Sequence, residues 1–99
     1  MDVWTSGGKY FGYFEDEYLL TYKGEHVGRR DGDEIYDQQG GYLGELDGDR
    51  LITNNAKLSW RRPGFIPSMR RISQIPMVRY VGNVMYVGHK HFLGPEAFS

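Results

Sequence analysis

One pattern restricts this chain more than any single motif: between residues 8 and 69 it repeats itself every 16 residues. The copies are GKYFGYFEDEYLLT (8–21), GEHVGRRDGDEIYD (24–37), GGYLGELDGDRLIT (40–53) and the more divergent AKLSWRRPGFIPSM (56–69). Gly8, Gly24, Gly40 and Ala56 share the first column, and Gly12, Gly28, Gly44 and Trp60 the fifth. Asp16, Gly32, Gly48 and Gly64 share the ninth, while Leu19, Ile35 and Leu51 share the twelfth. A unit this short holds one supersecondary element that cannot bury its own apolar face, so neighbouring units must stack or close on one another.

Each unit reads as a β-hairpin. Asp31-Gly32 and Asp47-Gly48 suit a type I′ turn, whose positive φ angles match the twist of paired strands. Between units, Asp37-Gln38-Gln39-Gly40 has Asp first and Gly fourth, as a type I turn prefers. Thr21–Gly24 and Thr53–Ala56 occupy the same place. The 14 Gly and 15 % aromatic content agree with short strands and tight turns, and leave no window for a long helix.

Side chains alternate along a strand. Phe11, Val27 and Leu43 on the first strand of each unit, with Leu19, Ile35 and Leu51 on the second, form the expected core. Leu20, Tyr36 and Ile52 fall on the opposite face and are also apolar. The second strand is therefore covered on both sides, or covers a ligand or partner on one. The chain reads as a single domain over 1–99: four hairpin repeats (8–69), a basic linker (70–76), an extra hairpin around Gly82-Asn83 (77–88) and an irregular tail (89–99) anchored by Phe92, Leu93 and Phe98. The odd member of the fifth column carries a further expectation. If that column points inward, three glycines make room and Trp60 is the central plug that fills it.

Gly-punctuated hairpins of equal length, with motifs of the form YD-xx-G-x-Y-x-G, resemble the four-fold β-flower domain of uncharacterised bacterial proteins. The resemblance covers about 8–69 and implies hairpin petals closed around a pseudo-four-fold axis into a shallow barrel. That fold has a distant likeness to Tubby-like barrels, which bind phosphoinositide membranes. No ligand-binding motif of that group maps onto this sequence, so the likeness transfers no site.

The net charge of −1 conceals a division. Residues 1–50 carry 12 acids against 5 bases (−7), and residues 51–99 carry Glu96 against 7 bases (+6). Such asymmetry points to an anionic partner for the second half, to self-association, or to two faces that attract each other. The candidate binding residues are Trp60, Arg61, Arg62, Arg70, Arg71 and Arg79, with Lys90 in the same basic set. Arg61-Arg62 and Arg70-Arg71 flank the apolar Phe65-Ile66-Pro67, a mixture that suits a lipid headgroup or a nucleic-acid backbone.

Other chemistry finds no support. Cys is absent, so no disulfide or thiolate metal site exists. His89-Lys90-His91 offers two imidazoles where a metal site needs a third or fourth ligand. The Asp-Gly-Asp turns lack the spacing of a Ca²⁺ loop. No nucleophile elbow or phosphate-cradling Gly loop occurs. No catalytic residue, metal or cofactor is expected. Residues 1–20 do not read as a secretory leader, and no apolar run reaches the roughly 20 residues that span a bilayer. Cytoplasmic location is the default. The expected function is a non-enzymatic binding module whose Arg-rich half engages an anionic partner: a lipid headgroup, a nucleotide or an acidic protein. The alternative is a homo-oligomerising structural protein, or a bacterial or phage accessory protein that sequesters another factor.

Overall fold

In the computed structural model, residues 1–67, 69, 71, 73 and 87–98 are described. Among these residues eight strands form one sheet: β1 (Asp2–Thr5), β2 (Tyr10–Glu15), β3 (Tyr18–Thr21), β4 (His26–Asp31), β5 (Glu34–Tyr36), β6 (Tyr42–Asp47), β7 (Arg50–Asn54) and β8 (His89–His91). Neighbours in sequence are neighbours in space, all antiparallel, and β1 closes on β7. The result is a seven-stranded barrel with β8 as an added strand, flattened to 36 × 34 × 21 Å. The all-β barrel of hairpins implied by the repeat is what the chain forms.

The first three copies make the hairpins β2–β3, β4–β5 and β6–β7. The fourth quarter is built differently from the expectation. Residues 56–69 do not make a hairpin among the described residues; Asn55–Lys57 is one 3₁₀ turn, and the chain then runs as an extended strap whose Arg61 bridges to Gly41. Pro63 and Pro67 have no N–H to give a ladder. The closing strand is β1 instead. Val3-Trp4-Thr5 is aligned by the 16-residue period with Leu19-Leu20-Thr21 and Leu51-Ile52-Thr53, so β1 is the second strand of a half-unit at the start of the chain. The turn cap repeats with it: Thr5 Oγ1, Thr21 Oγ1 and Asp37 Oδ1 each accept from the backbone N–H four residues on, at 3.2, 3.3 and 2.8 Å. Because β1 and β7 are both second strands, they run the same way, and the seam is parallel. Trp4 N–H donates to Asp49 C=O and Ser6 N–H to Leu51 C=O, both at 2.9 Å.

Two further local readings change. The hairpin loops are Gly32-Asp33 and Gly48-Asp49, with positive φ at the glycine alone (63° and 65°), which is the II′ pattern rather than I′. Asp16 holds the same place in the first unit at φ 54°. The tail begins with a strand, since His89–His91 pairs with Ile52–Asn54 where β1 no longer covers β7. The hairpin read at 77–88 lies outside the described residues except for Val87 and Gly88.

A β-bulge in each unit sets the interior. Val3 faces Gly12 while Trp4 faces Tyr10, which leaves Phe11 as the extra residue; Val27 and Leu43 are extra in the same way. A bulge lets two successive residues share a face, so the fourth and fifth columns both point into the barrel. The fifth must then be Gly. A Cβ on Gly28 would lie 2.9 Å from Ile35 Cγ2, and one on Gly44 would lie 2.5 Å from Phe92 Cδ1. Val3, Phe11, Leu19, Ile35 and Leu51 are fully buried in the core, with Val27 and Leu43 half-buried against it.

The space that the glycines leave is filled, but not by Trp60. That indole is 41 % exposed, with Lys57 Nζ 4.9 Å above its ring. The plug is Phe92, 4 % exposed, which meets Phe11 edge-to-face at 5.5 Å while Phe98 meets the same ring at 5.8 Å. Trp60 sits in the strap, outside the wall, so its column position carries no inward direction.

Candidate functional site

Leu20, Tyr36 and Ile52 are buried on the outer face, so the second strands are covered on both sides. Part of that cover is the strap. Its backbone runs along the inter-unit turns: Tyr42 N–H donates to Trp60 C=O (3.2 Å), Arg62 N–H to Gly40 C=O (2.8 Å) and Phe65 N–H to Gln38 C=O (3.0 Å). Further on, Arg71 N–H donates to Gly24 C=O at 2.8 Å. Gly40 and Gly24 hold φ of 88° and 85°, and any Cβ there would strike the Arg62 or Arg71 carbonyl.

Two of the candidate arginines make one contact twice. Arg62 Nε donates to Asp31 at 2.8 Å, and Arg71 Nη2 donates to Glu15 at 2.8 Å. Asp31 and Glu15 are 16 residues apart, as are Gly40 and Gly24. The two arginines are only nine apart, within the related stretches Arg61-Arg62…Ile66-Pro67 and Arg70-Arg71…Ile75-Pro76. A second, nine-residue period thus meets the 16-residue one, with one arginine docking per barrel unit. This period is visible in the sequence once the strap is known, and it assigns Arg62 and Arg71 a structural partner. Charge-assisted bonds hold the Glu15 carboxyl below its ordinary range and raise the Arg62 and Arg71 guanidinium pKa values. Lys57 likewise lies 3.1 Å from Glu45 and 3.5 Å from Glu34, and its bond to Glu45 raises its pKa. Three cations of the second half, Lys57, Arg62 and Arg71, are thus paired with carboxylates of the first.

Arg61 is exposed and donates to Gln39 C=O at 2.9 Å. Arg70 and Arg79 lie outside the described residues. Of the described candidate arginines, Arg62 and Arg71 are thus each bonded to a carboxylate and Arg61 to a backbone carbonyl.

It does bring Arg62 together with a residue outside the expected set, Arg29. Tyr18, Arg29 and Tyr36 stand side by side across β3, β4 and β5 on the outer face. Cross-strand partners on one face are close neighbours. Arg29, Asp31, Tyr36, Arg62, Pro63 and Phe65 enclose a cleft of about 150 Å³ between the hairpin and the strap. The Arg62 guanidinium carbon lies 5.1 Å from the Tyr36 ring centroid. Next to the cleft, His26 is stacked between Tyr18 (4.3 Å) and Phe65 (4.6 Å), and its Nε2–H donates to Gly28 C=O at 3.0 Å. Burial lowers the His26 pKa from its ordinary 6.5 and raises that of the Tyr36 phenol.

Within the cleft, Arg29 has no carboxylate partner among the described residues. The Tyr36 hydroxyl is buried without a hydrogen-bond partner among the described residues, which is uncommon for a buried polar atom. Among the described residues, two guanidinium groups against the single Asp31 carboxylate leave the lining at +1. Arg29 carried no signal in the sequence beyond its place opposite two tyrosines, which depends on strand register. No group of three or more metal-ligating side chains occurs among the described residues, and no helix there is long and apolar enough to cross a membrane.

Comparison with protein-family models, with curated proteins and with solved structures returned no match.

Proposed function

We propose that this protein is a non-enzymatic binding module that receives the anionic end of a ligand in the Arg29–Arg62 cleft. The observation that carries the reading is Arg29: among the described residues this half-buried guanidinium has no carboxylate partner, and the phenol hydroxyl beside it has no hydrogen-bond partner. Arg62 is oriented by Asp31 and stacked on Tyr36, so its donors are presented in a fixed geometry. An oxyanion fits both groups chemically, since guanidinium matches carboxylate and phosphate and a phenol O–H donates to either.

Size narrows the ligand. Sites for whole drug-sized molecules span roughly 300–1,000 Å³, and 150 Å³ is well below that range. The cleft suits a phosphate or carboxylate group whose remainder lies outside, as on a lipid headgroup, a nucleotide or an acidic side chain. With Lys57, Arg62 and Arg71 paired to carboxylates, the reading rests on this local site rather than on a broad basic surface. A β-flower-like barrel serving as a display scaffold is compatible with it, and the cytoplasm is the setting we assign.

The test is titration with inorganic phosphate and with phenyl phosphate, followed by amide chemical shifts. Saturable shifts at residues 29, 36 and 62 are expected, weakening as salt rises. Arg29→Gln should remove them while the melting temperature stays within a few degrees. Binding that persists in Arg29→Gln, or shifts confined to residues outside the cleft, would refute the proposal. A concentration-dependent mass, with no anion binding, would instead favour the self-associating alternative.

A further inference from the structure

We infer that the open end of the barrel is a second ligand site, of opposite charge preference, which takes a small organic cation: an apolar body bearing an amine. Glu25, His26, Val27, Asp37, Gln38, Gln39, Leu43, Leu93 and Phe98 line a cavity of about 410 Å³ there. That volume falls within the range of natural small-molecule sites.

The repeat explains why the cavity exists. The bulge column places Phe11, Val27 and Leu43 at equivalent inward positions. Phe11 is the largest of them, and Phe92 and Phe98 close over it so that it is fully buried. Val27 and Leu43 are smaller and only half-buried. Phe92 also takes the space beside Gly44. The C-terminal segment therefore fills the interior against Phe11 and Gly44 and leaves a hollow against Val27 and Leu43. Interiors are ordinarily packed to crystal-like density, and a hollow of this size with Val27, Leu43 and Phe98 on its wall is apolar surface left for a ligand to cover.

The rim decides the charge. Asp37 contributes a carboxylate without an ion pair among the described residues, Glu25 is the second carboxyl group, and the described lining includes no Lys or Arg. Asp37 is held in place: its Oδ1 accepts the Gln39 and Gly41 N–H groups at 3.0 and 2.8 Å. The carboxylate is thereby fixed at the mouth, and Gln38 and Gln39 add neutral polar groups beside it. An ammonium group at the rim with its apolar body against Val27, Leu43 and Leu93 satisfies both parts of the lining. An anion of the same shape meets like charge.

The experiment uses two molecules with one aromatic body and opposite charge, tryptamine and indole-3-propionate, and follows the Val27, Leu43 and Leu93 methyl resonances. Tryptamine should give saturable shifts at these methyls, with indole-3-propionate at least about tenfold weaker. Leu43→Trp should fill the cavity and abolish binding. Leu93 is 55 % exposed at the rim, so Leu93→Trp supplies a second block that leaves the core intact. Asp37→Asn should narrow the difference between the two probes. Equal affinity for both, tryptamine binding that survives the two Trp variants, or no saturable shift at the three methyls would overturn the inference. None of these outcomes depends on Arg29, so the two sites stand or fall separately.

Discussion

Replacing Phe92 by Ala should remove a large part of the stability of this protein. The side chain is 4 % exposed, lies in the core cluster with Phe11, Leu19, Ile35 and Leu51, and occupies the space left by Gly44. Burial of this kind costs roughly 3–5 kcal/mol when a Phe is cut to Ala, and the loss grows with the cavity that remains. Here the walls cannot close in, because the residues nearest the void belong to a hydrogen-bonded barrel and Gly44 has no side chain to swing across it. We therefore expect the upper part of that range, about 4–5 kcal/mol. A 99-residue domain has a total stability of only about 5–15 kcal/mol, so the midpoint of thermal unfolding should fall by roughly 20–30 °C. Urea denaturation followed by far-ultraviolet circular dichroism measures it, with the slope against urea unchanged if the variant still unfolds in two states. Trp60→Gly, in the same assay, should cost less than about 1 kcal/mol, the scale of an exposed cation–π contact. A loss below about 1 kcal/mol for Phe92→Ala, or a larger loss for Trp60→Gly, would refute the assignment of the plug.

Spectroscopy gives a second view of the same question: in a Trp4→Phe background, Trp60 emission should be red-shifted and readily quenched by acrylamide. His26 supplies a pH dependence. Its pKa is depressed by burial from 6.5, so the folded state binds the proton less well than the unfolded one. The stability it contributes is present above about pH 6.5 and is lost as pH falls through the lower folded value. Glu15 is depressed too, but from 4.5, so comparing urea midpoints at pH 7.5 and 5 isolates the histidine; His26→Phe should flatten that difference, and an unchanged slope would contradict it. Gly40→Ala should dislodge the strap without opening the barrel, because the new Cβ meets the Arg62 carbonyl at a positive φ. Trypsin cleavage after Arg61 should accelerate while the circular dichroism spectrum is kept, and unaltered cleavage would count against the docking.

Local and repeated features are legible in the residues alone. The 16-residue period, the turn residues and the apolar columns led to hairpins with Leu19, Ile35 and Leu51 inside, because turn chemistry and side-chain alternation act over a few residues. The half-unit at Val3-Trp4-Thr5 obeys the same period and was legible in principle, but three residues are too few to stand out before a barrel shows that a closing strand is needed. The bulges were not legible. Strict alternation cannot put Phe11 and Gly12 on one face, and only pairing with β1 does so. Tertiary structure also decided what fills the centre and which charges are free. Phe92 reaches Phe11 from 81 residues away, and Arg71 reaches Glu15 across 56; composition shows the charges but not their pairing. Arg29 became a candidate for the same reason. A residue two places along a strand from an inward valine is ordinary in sequence, and it acquires a cleft only when strand register sets it between Tyr18 and Tyr36 and the strap closes over them.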